Sequence, residues 1–312
     1  MKNTTSTLSR RKFLGITTAA AGLSVIPWNQ GYANGLLTQV TGKPDSKFGG
    51  VQIGAITYSW RSMPGTPEDI IKYCQQTGIS SIELMGDIAE KYAGIPAGKE
   101  GSEERRKWRL AAPLNKYRDL RKMFNDAGIN IHIAKFSPGN WTEAEIDYSF
   151  KAARALGAVG VCNEIGDDPC KKMGPIAKSN GMLAIFHNHL QPGEPGWTFE
   201  KFLDYSPANM LNFDVGHYYG ATGLHPNGII EKLHDRIVSI HVKDKTGPKD
   251  NPANTNMQWG KGATPISDIL LLIKKNKWPI YVDIELEYPV PDGSDAVAEV
   301  RKCVEYCRNI LS

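Results

Sequence analysis

Beyond residue 50 the chain alternates between two kinds of hydrophobic pattern. Eight short apolar runs appear in series: VQIGAITY, ISSIELM, INIHIAKF, AVGVCNEIG, MLAIFHNHL, MLNFDVGHY, IVSIHVKD and PIYVDIELEY. Each has the length and composition of a buried strand. Between them lie segments with helical spacing and helix-start chemistry. TPEDIIKYCQQTG begins on Thr66, Pro67 and two acids and stops at Gly78, and SDAVAEVRKCVEYCRNIL begins at Ser294 with an acid in its first turn. Eight strand–helix units in sequence predict an α/β fold, a parallel (β/α)8 TIM barrel ringed by helices. A doubly wound open sheet is the main competitor, but no strand leads into a Gly-rich dinucleotide loop. No Pro-rich or Ser-rich linker divides residues 51–312, so one domain is expected there. The stretch from Asp87 to Pro113, which carries GKEGSEERRKWR, is expected to be an extended loop after the second strand, placed to cover the barrel mouth.

The N-terminal segment reads as an address. SRRKFLG sets a twin arginine before FLGITTAAAGLSVIP, and GYA offers the small residues that a signal peptidase reads. Residues 1–33 are therefore predicted to be a twin-arginine signal peptide cleaved after Ala33, residues 34–50 a linker, and residues 51–312 the barrel. The apolar run is short for a bilayer and contains Gly and Thr, which favours a removed signal over a permanent membrane span. The expected location is periplasmic, or otherwise exported from a bacterial cytoplasm. The net charge of +4 resides in this segment, which carries Lys2, Arg10, Arg11 and Lys12 and no acid, so 4 − 4 leaves the remainder near zero. Nucleic acid and anionic membrane are accordingly not expected as partners, and a homo-oligomer is compatible with the sequence. The five cysteines, at 74, 162, 170, 303 and 307, form no CxxC and are odd in number. Cys303 and Cys307, four apart, read as residues on one helix face.

In such a barrel the C-terminal strand ends converge on one mouth, where the chemistry sits. Read in order, they carry Glu83, Lys135, Glu164, His187 with His189, Asp214 with His217, His241 with Lys243 and Asp244, and Glu285 with Glu287. For one strand, such as LNFDVGHYYG, a satisfied Asp–His pair is explanation enough. Repetition at strand after strand is not needed by a core, and unpaired burial of such groups is costly, so one converging polar site is expected. Imidazoles and carboxylates on rigid strand ends suit one divalent ion, Mn, Co, Zn or Fe, with a position left open for water or substrate. The lack of Cys argues against a closed structural zinc site. An ion holding two sugar oxygens polarises a carbonyl and stabilises the enediolate formed on loss of the neighbouring proton, with a flanking Glu, His or Lys as the base.

Other positions keep two readings. Glu83 bonds a backbone amide at the mouth or meets substrate, and Lys135 reaches solvent or a substrate oxyanion. His217 orients a ligand or a substrate hydroxyl. Lys243 shares the face of His241 by alternation and points inward, whereas Asp244 pairs with a helix or loop. Trp259, in QWGKG, stacks on a sugar or anchors to the surface. His132, His225 and His234 read as structural. Glu287 faces the same way as Glu285 and can replace it as a ligand.

The series HNH, DVGH, HVKD, WGKG and IELEYPVPDGSD resembles the xylose isomerase-like barrel superfamily, which includes sugar phosphate isomerases and epimerases, inosose dehydratases and apurinic endonucleases. It closely resembles the exported, twin-arginine branch of sugar isomerase/epimerase-like proteins, and the likeness spans nearly the whole chain after the signal. In the ketose epimerases of that superfamily a Glu, an Asp, a His and a second Glu hold the metal at the ends of strands five to eight. The resemblance implies Asp214, His241 and Glu285 as ligands, with His187 where those epimerases have Glu and His189 as the alternative. That departure removes one carboxylate of the epimerase proton shuttle and leaves Glu164, His189 or a lysine such as Lys243 as the base. Inosose dehydratases resemble this chain in pairing a His-rich strand five with Asp-x-Gly-His. The expected activity is therefore a divalent-metal-dependent sugar isomerase or epimerase acting on a sugar or keto-sugar. Glu164, His189, His217 and Lys243 are the expected catalytic groups, and Lys135, Glu83, Trp259 and Glu287 the substrate contacts. The alternative is a metal-dependent lyase or dehydratase acting on a 3-keto-glycoside or keto-polyol. A non-catalytic sugar-binding protein ranks lower, as does an apurinic endonuclease, which must bind a polyanion.

Overall fold

The computed structural model describes residues 42–312, so the expected signal peptide and part of the 34–50 segment lie outside the described residues. The eight expected strands all form: β1 (Val51–Ile56), β2 (Ser81–Met85), β3 (Asn130–Lys135), β4 (Gly160–Glu164), β5 (Leu183–His187), β6 (Asn209–Asp214), β7 (Ile237–Val242) and β8 (Tyr281–Ile284). Each runs parallel to the next, and β8 returns to β1 through Val282 opposite Ile53, closing a (β/α)8 TIM barrel. A two-residue strand, Lys47–Phe48, adds antiparallel to β1.

The connecting helices are α1 (Pro67–Thr77), α2 (Gly86–Ala93), α3 (Glu103–Leu110), α4 (Leu114–Asp126), α5 (Glu143–Leu156), α6 (Asp167–Ser179), α7 (Phe199–Leu203), α8 (Val215–Thr222), α9 (Asn227–Leu233), α10 (Ile266–Asn276) and α11 (Ala296–Leu311). Their ends obey local chemistry. Thr66 with Asp69, and Thr142 with Glu145, close reciprocal capping boxes on α1 and α5, and Gly78 and Gly157 end those helices in the left-handed conformation. The apolar faces of the helices pack on the outer faces of the strands in one continuous core. Ile133, Cys162, Ile185, Met210 and Val238, one from each of β3 to β7, form a second small cluster. All five cysteines are buried and free.

Residues 87–113 differ from the expected extended loop. Helix α2 starts directly at the end of β2, and Ser102 caps α3 with two acids in its first turn. The charge-rich composition serves internal ion pairs. The fully buried Arg109 guanidinium lies 2.8 Å from Glu90, 3.2 Å from Glu145 and 2.5 Å from Glu100, and stacks 3.5 Å over the Trp141 ring. Arg109 thereby ties α2 and α3 to the start of α5.

Candidate active site

The barrel register brings the polar strand ends together. Glu164 is opposite His187 across β4 and β5, and Asp214 is opposite His241 across β6 and β7. Register shifts fall at Ile82/Glu83 in β2 and at Leu211/Asn212 in β6. Such irregularities re-aim the side chains that follow. Here they let Asn212 Nδ2 donate to Glu83 Oε2 at 2.7 Å across the barrel interior. The Asp-x-x-His of DVGH is a helix cap as well as a site. Asp214 Oδ1 accepts from the His217 backbone N–H at 2.6 Å at the start of α8, leaving Oδ2 for the barrel mouth. The glycine between them is required by packing, because a Cβ at Gly216 would lie 2.3 Å from Lys243 Cγ.

Lys243 is the centre of the cluster. Its buried ammonium lies 2.8 Å from Asp214 Oδ2, 2.7 Å from Glu285 Oε2 and 2.6 Å from Glu287 Oε2, and donates to His217 Nε2 at 3.0 Å. Burial opposes its charge, but Asp214, Glu285 and Glu287 hold the Lys243 pKa above its ordinary value. Burial and then the neighbouring ammonium push His217 down to about 3, so it is a neutral acceptor. His241 is the opposite case. Burial works against its charge, yet Glu285 at 2.9 Å from Nδ1 and Glu83 at 2.7 Å from Nε2 raise its pKa well above the usual histidine range. Burial, helped by the His241 charge, keeps His187 neutral. Of the two most deeply buried carboxylates sharing the ammonium, Glu285 is held ionised against burial by Lys243 and His241, whereas burial pushes Asp214 up.

A second wall is more open. Lys135 Nζ lies 2.5 Å from Glu164 Oε1, and His189 Nε2 lies 3.2 Å from Glu164 Oε2. Lys135 is buried, while Glu164 and His189 are about half exposed. The His189 ring is 5.0 Å from both His187 and His217, and His187 is 4.7 Å from His241, so four imidazoles form an arc linking the two walls.

Two of the expected substrate contacts are engaged by other side chains of the protein. Glu83 is fully buried, two residues before the end of β2, and bonds His241 instead of a mouth amide or substrate. Trp259 packs edge-on against Tyr306 of α11 at 5.6 Å. Glu287 is at the site, on Lys243. Asp244 organises the loop after β7, accepting from the backbone N–H groups of Gly260, Gly262 and Thr264. His132 is sealed in the interior between Ser81 and Asp283, each at 2.9 Å, while His225 meets Asp268 and His234 stacks on Trp278. Sequence reasoning passed over Asn212, Asp283 and Lys245. All three lie on the inward alternation already marked by Asp214, by Glu285 and by His241 with Lys243, and that alternation was the available signal.

No protein-family model matches the chain. An inosose dehydratase from Clostridium beijerinckii is 30% identical over 80 residues, and the chain spans only 26% of that curated relative. A solved sugar phosphate isomerase/epimerase from Parabacteroides distasonis is 17% identical, with a TM-score of 0.62 over 89% of this chain and 100% of that one. A xylose isomerase domain protein from Alicyclobacillus acidocaldarius is 13% identical, with a TM-score of 0.62 over 83% of this chain and 99% of that one. The chain shares its (β/α)8 barrel fold with these two solved structures.

Within this barrel, His187, Asp214, His241 and Glu285, all buried, offer one ligand atom each within 4.8 Å of one another. Two neutral-capable imidazoles and two carboxylates are a donor set that fits a divalent transition ion. His187 Nδ1 has no hydrogen-bond partner, and Asp214 Oδ2 has the Lys243 ammonium at 2.8 Å, with His187 Nε2 and His217 Nε2 each at 3.8 Å. A divalent ion there would compete with the Lys243 ammonium for the same oxygens, and His241 would have to give up a proton to become a ligand.

Proposed function

We propose that the protein is an enzyme that moves a proton at the carbon next to a carbonyl of a sugar or keto-sugar, isomerising or epimerising it. The observation that carries this reading is the half-exposed Glu164–His189 pair, 3.2 Å apart, beside the buried ion cluster around Lys243 at one barrel mouth. Glu164 is the base. Lys135 fixes its Oε1 and leaves Oε2 toward His189, which returns the proton to the neighbouring carbon or oxygen. Lys243 and His217 face the oxygen on which negative charge develops. When bound, a divalent ion held by His187, Asp214, His241 and Glu285 supplies polarisation of the carbonyl.

A second reading, elimination of water or an aglycone, is favoured by one feature. Strand β5 ends on His187, so among the described residues Glu164 is the one carboxylate paired with Lys135 and His189, and His189 beside it suits protonation of a leaving oxygen. The partial likeness to an inosose dehydratase supports the same alternative. A panel of ketoses and keto-polyols in heavy water separates the two. Deuterium in a recovered isomer supports isomerisation, and an unsaturated keto product with a released leaving group supports elimination. No turnover or exchange with any panel member by protein supplied with Mn, Co, Zn or Fe would refute both. Glu164→Gln should lower the rate by roughly two to four orders of magnitude. We further propose export through residues 1–33, tested by replacing Arg10 and Arg11 with Lys, which should leave unprocessed protein in the cytoplasm.

A further inference from the structure

Three lysines face this mouth, and two of them are paired: Lys135 with Glu164, and Lys243 with Asp214, Glu285 and Glu287. The third is Lys245, which sits in the two-residue strand Asp244–Lys245 that pairs with Asn256–Met257. Only 3% of Lys245 is exposed, yet among the described residues its ammonium makes no hydrogen bond and no ion pair. Its backbone is fixed, with its N–H donating to Thr264 Oγ1 and its carbonyl accepting from Ala263. The side chain runs along α8. A Cβ on Gly220 would lie 2.9 Å from Lys245 Cε and 2.2 Å from Asn254 Oδ1, so the glycine opens the niche that holds both groups. The buried Asn254 Oδ1 has no partner, nor has Asn256 Oδ1 on the pairing strand.

The niche has a defined place relative to the chemistry. Gly216 accommodates Lys243, and Gly220, four residues on, accommodates Lys245. Four helical residues advance about 6 Å, so Lys245 stands one turn further out along α8 than the reacting wall. A lysine this nearly buried without a partner is costly, and burial together with Lys243 lowers the pKa of Lys245. Asp214, Glu287 and Glu285 offset this only in part, because all three are drawn onto Lys243.

We propose that Lys245, with the side-chain amide of Asn254, binds an oxyanion carried by the substrate, so that the protein acts on an acidic sugar derivative, a carboxylate or a phosphate ester, in preference to a neutral one. This rests on the sugar reading above and specifies it. The amide of Asn254 turns its nitrogen or its oxygen to the niche, since the two ends are interchangeable in shape. It therefore donates to the oxyanion or accepts from a neighbouring hydroxyl.

Binding of three unreactive polyols by calorimetry tests the assignment: sorbitol as the neutral probe, gluconate as the carboxylate and sorbitol 6-phosphate as the phosphate ester. The native protein should bind one of the two anions about 10- to 100-fold more tightly than sorbitol, the worth of a hydrogen bond to a charged group. Which anion is preferred identifies the source of the charge. Lys245→Met should erase that preference while leaving sorbitol affinity within about twofold, and Lys245→Arg should keep most of it. Gly220→Ala should weaken the anion by filling the niche. Sorbitol binding with no anion preference in native protein, or a preference that survives Lys245→Met, overturns the role of Lys245 and leaves the sugar reading standing. Failure of all three probes to bind overturns both. Thermal melts of each variant verify that it is folded, and if Lys245→Met is not, Lys245→Gln carries the same test.

Discussion

Replacing Lys243 by Met should expose how the site is held together. The substitution keeps an unbranched apolar stem in the space left by Gly216 and deletes the ammonium that lies 2.6–2.8 Å from three carboxylates. Asp214 is fully buried and Glu285 nearly so, so their charges are left with His241 as the remaining nearby cation; Glu287 is partly solvated and adds less. Removing one partner of a buried ion pair costs about 3–5 kcal/mol, which for a domain of this size lowers the thermal midpoint by roughly 6–20 °C. The sign of the pH dependence follows from the groups involved. Lys243 has a raised pKa, so its contribution is fully present below the unfolded value of about 10.4 and is lost only as pH rises through the folded one. Between pH 5 and 7 it therefore stays charged in the native protein. Glu285 is depressed in the native protein, so its contribution is present above the unfolded value and is lost as pH falls through the folded one. Without Lys243 that depression weakens, and Asp214 and Glu285 together bind more protons near neutrality than they do in the native protein. The deficit of the variant should thus be largest at pH 7 and shrink toward pH 5. Melts of metal-free protein in chelator at pH 5, 6 and 7 measure it. Adding Mn or Zn should then stabilise the variant by about 2.7 kcal/mol at a hundredfold excess over its dissociation constant, and the native protein by less at the same concentration. A deficit under about 1 kcal/mol at pH 7, or one independent of pH, would refute the assignment of Lys243 as the cation that neutralises this cluster.

Three further outcomes are expected. Arg109→Met leaves the buried Glu90 and Glu145 with only the more distant Arg105 and Arg106, at 3.4 and 3.9 Å, and should cost about 3 kcal/mol in a melt, the low end for a broken buried pair; a loss under about 1 kcal/mol would show that Arg109 does not tie α2 and α3 to the barrel. Asp214→Asn should keep the α8 cap, because the amide oxygen still accepts from His217, yet bind a divalent ion at least tenfold more weakly in an equilibrium titration; unchanged affinity removes Asp214 from the ligand set. In metal-free protein, imidazole NMR should find His217, held near a pKa of about 3, neutral at pH 5, and should find His241 still charged at pH 7; a His217 that protonates near pH 6.5 contradicts the electrostatics described for Lys243. The linkage runs in opposite directions, since a depressed His217 costs stability as pH falls below about 6.5, while a raised His241 adds stability that is lost as pH rises through its folded value.

What the sequence disclosed, and what it hid, follow from the range of the interactions involved. Strands read correctly because burial on both faces writes a short apolar run into consecutive residues, and the order of eight such runs determines a barrel whose ends meet. The polar residues were legible for the same reason: Glu164, His187 and Asp214 end their strands, and nothing but convergence explains them. Partner choice is not local. His241 is bonded by Glu83 from the far side of the barrel, 158 residues away in sequence, and no period in either strand encodes that meeting; two register shifts bring it about. The charge-rich segment after β2 misled because composition cannot distinguish charges facing water from charges facing each other, and Arg109 faces three glutamates. Lys243 combines both lessons. Alternation from His241 placed it on the inner face, but its position among the metal-ligand candidates depends on Gly216, one strand and one turn away, having no side chain. A barrel that gathers several carboxylates at one mouth must supply positive charge there before any ligand arrives, because their mutual repulsion in a buried space would otherwise raise their pKa values until some were neutral. A lysine on a flexible stem meets that need and remains displaceable by a divalent ion, which a rigid arginine fork holding two oxygens at once would be far less ready to permit.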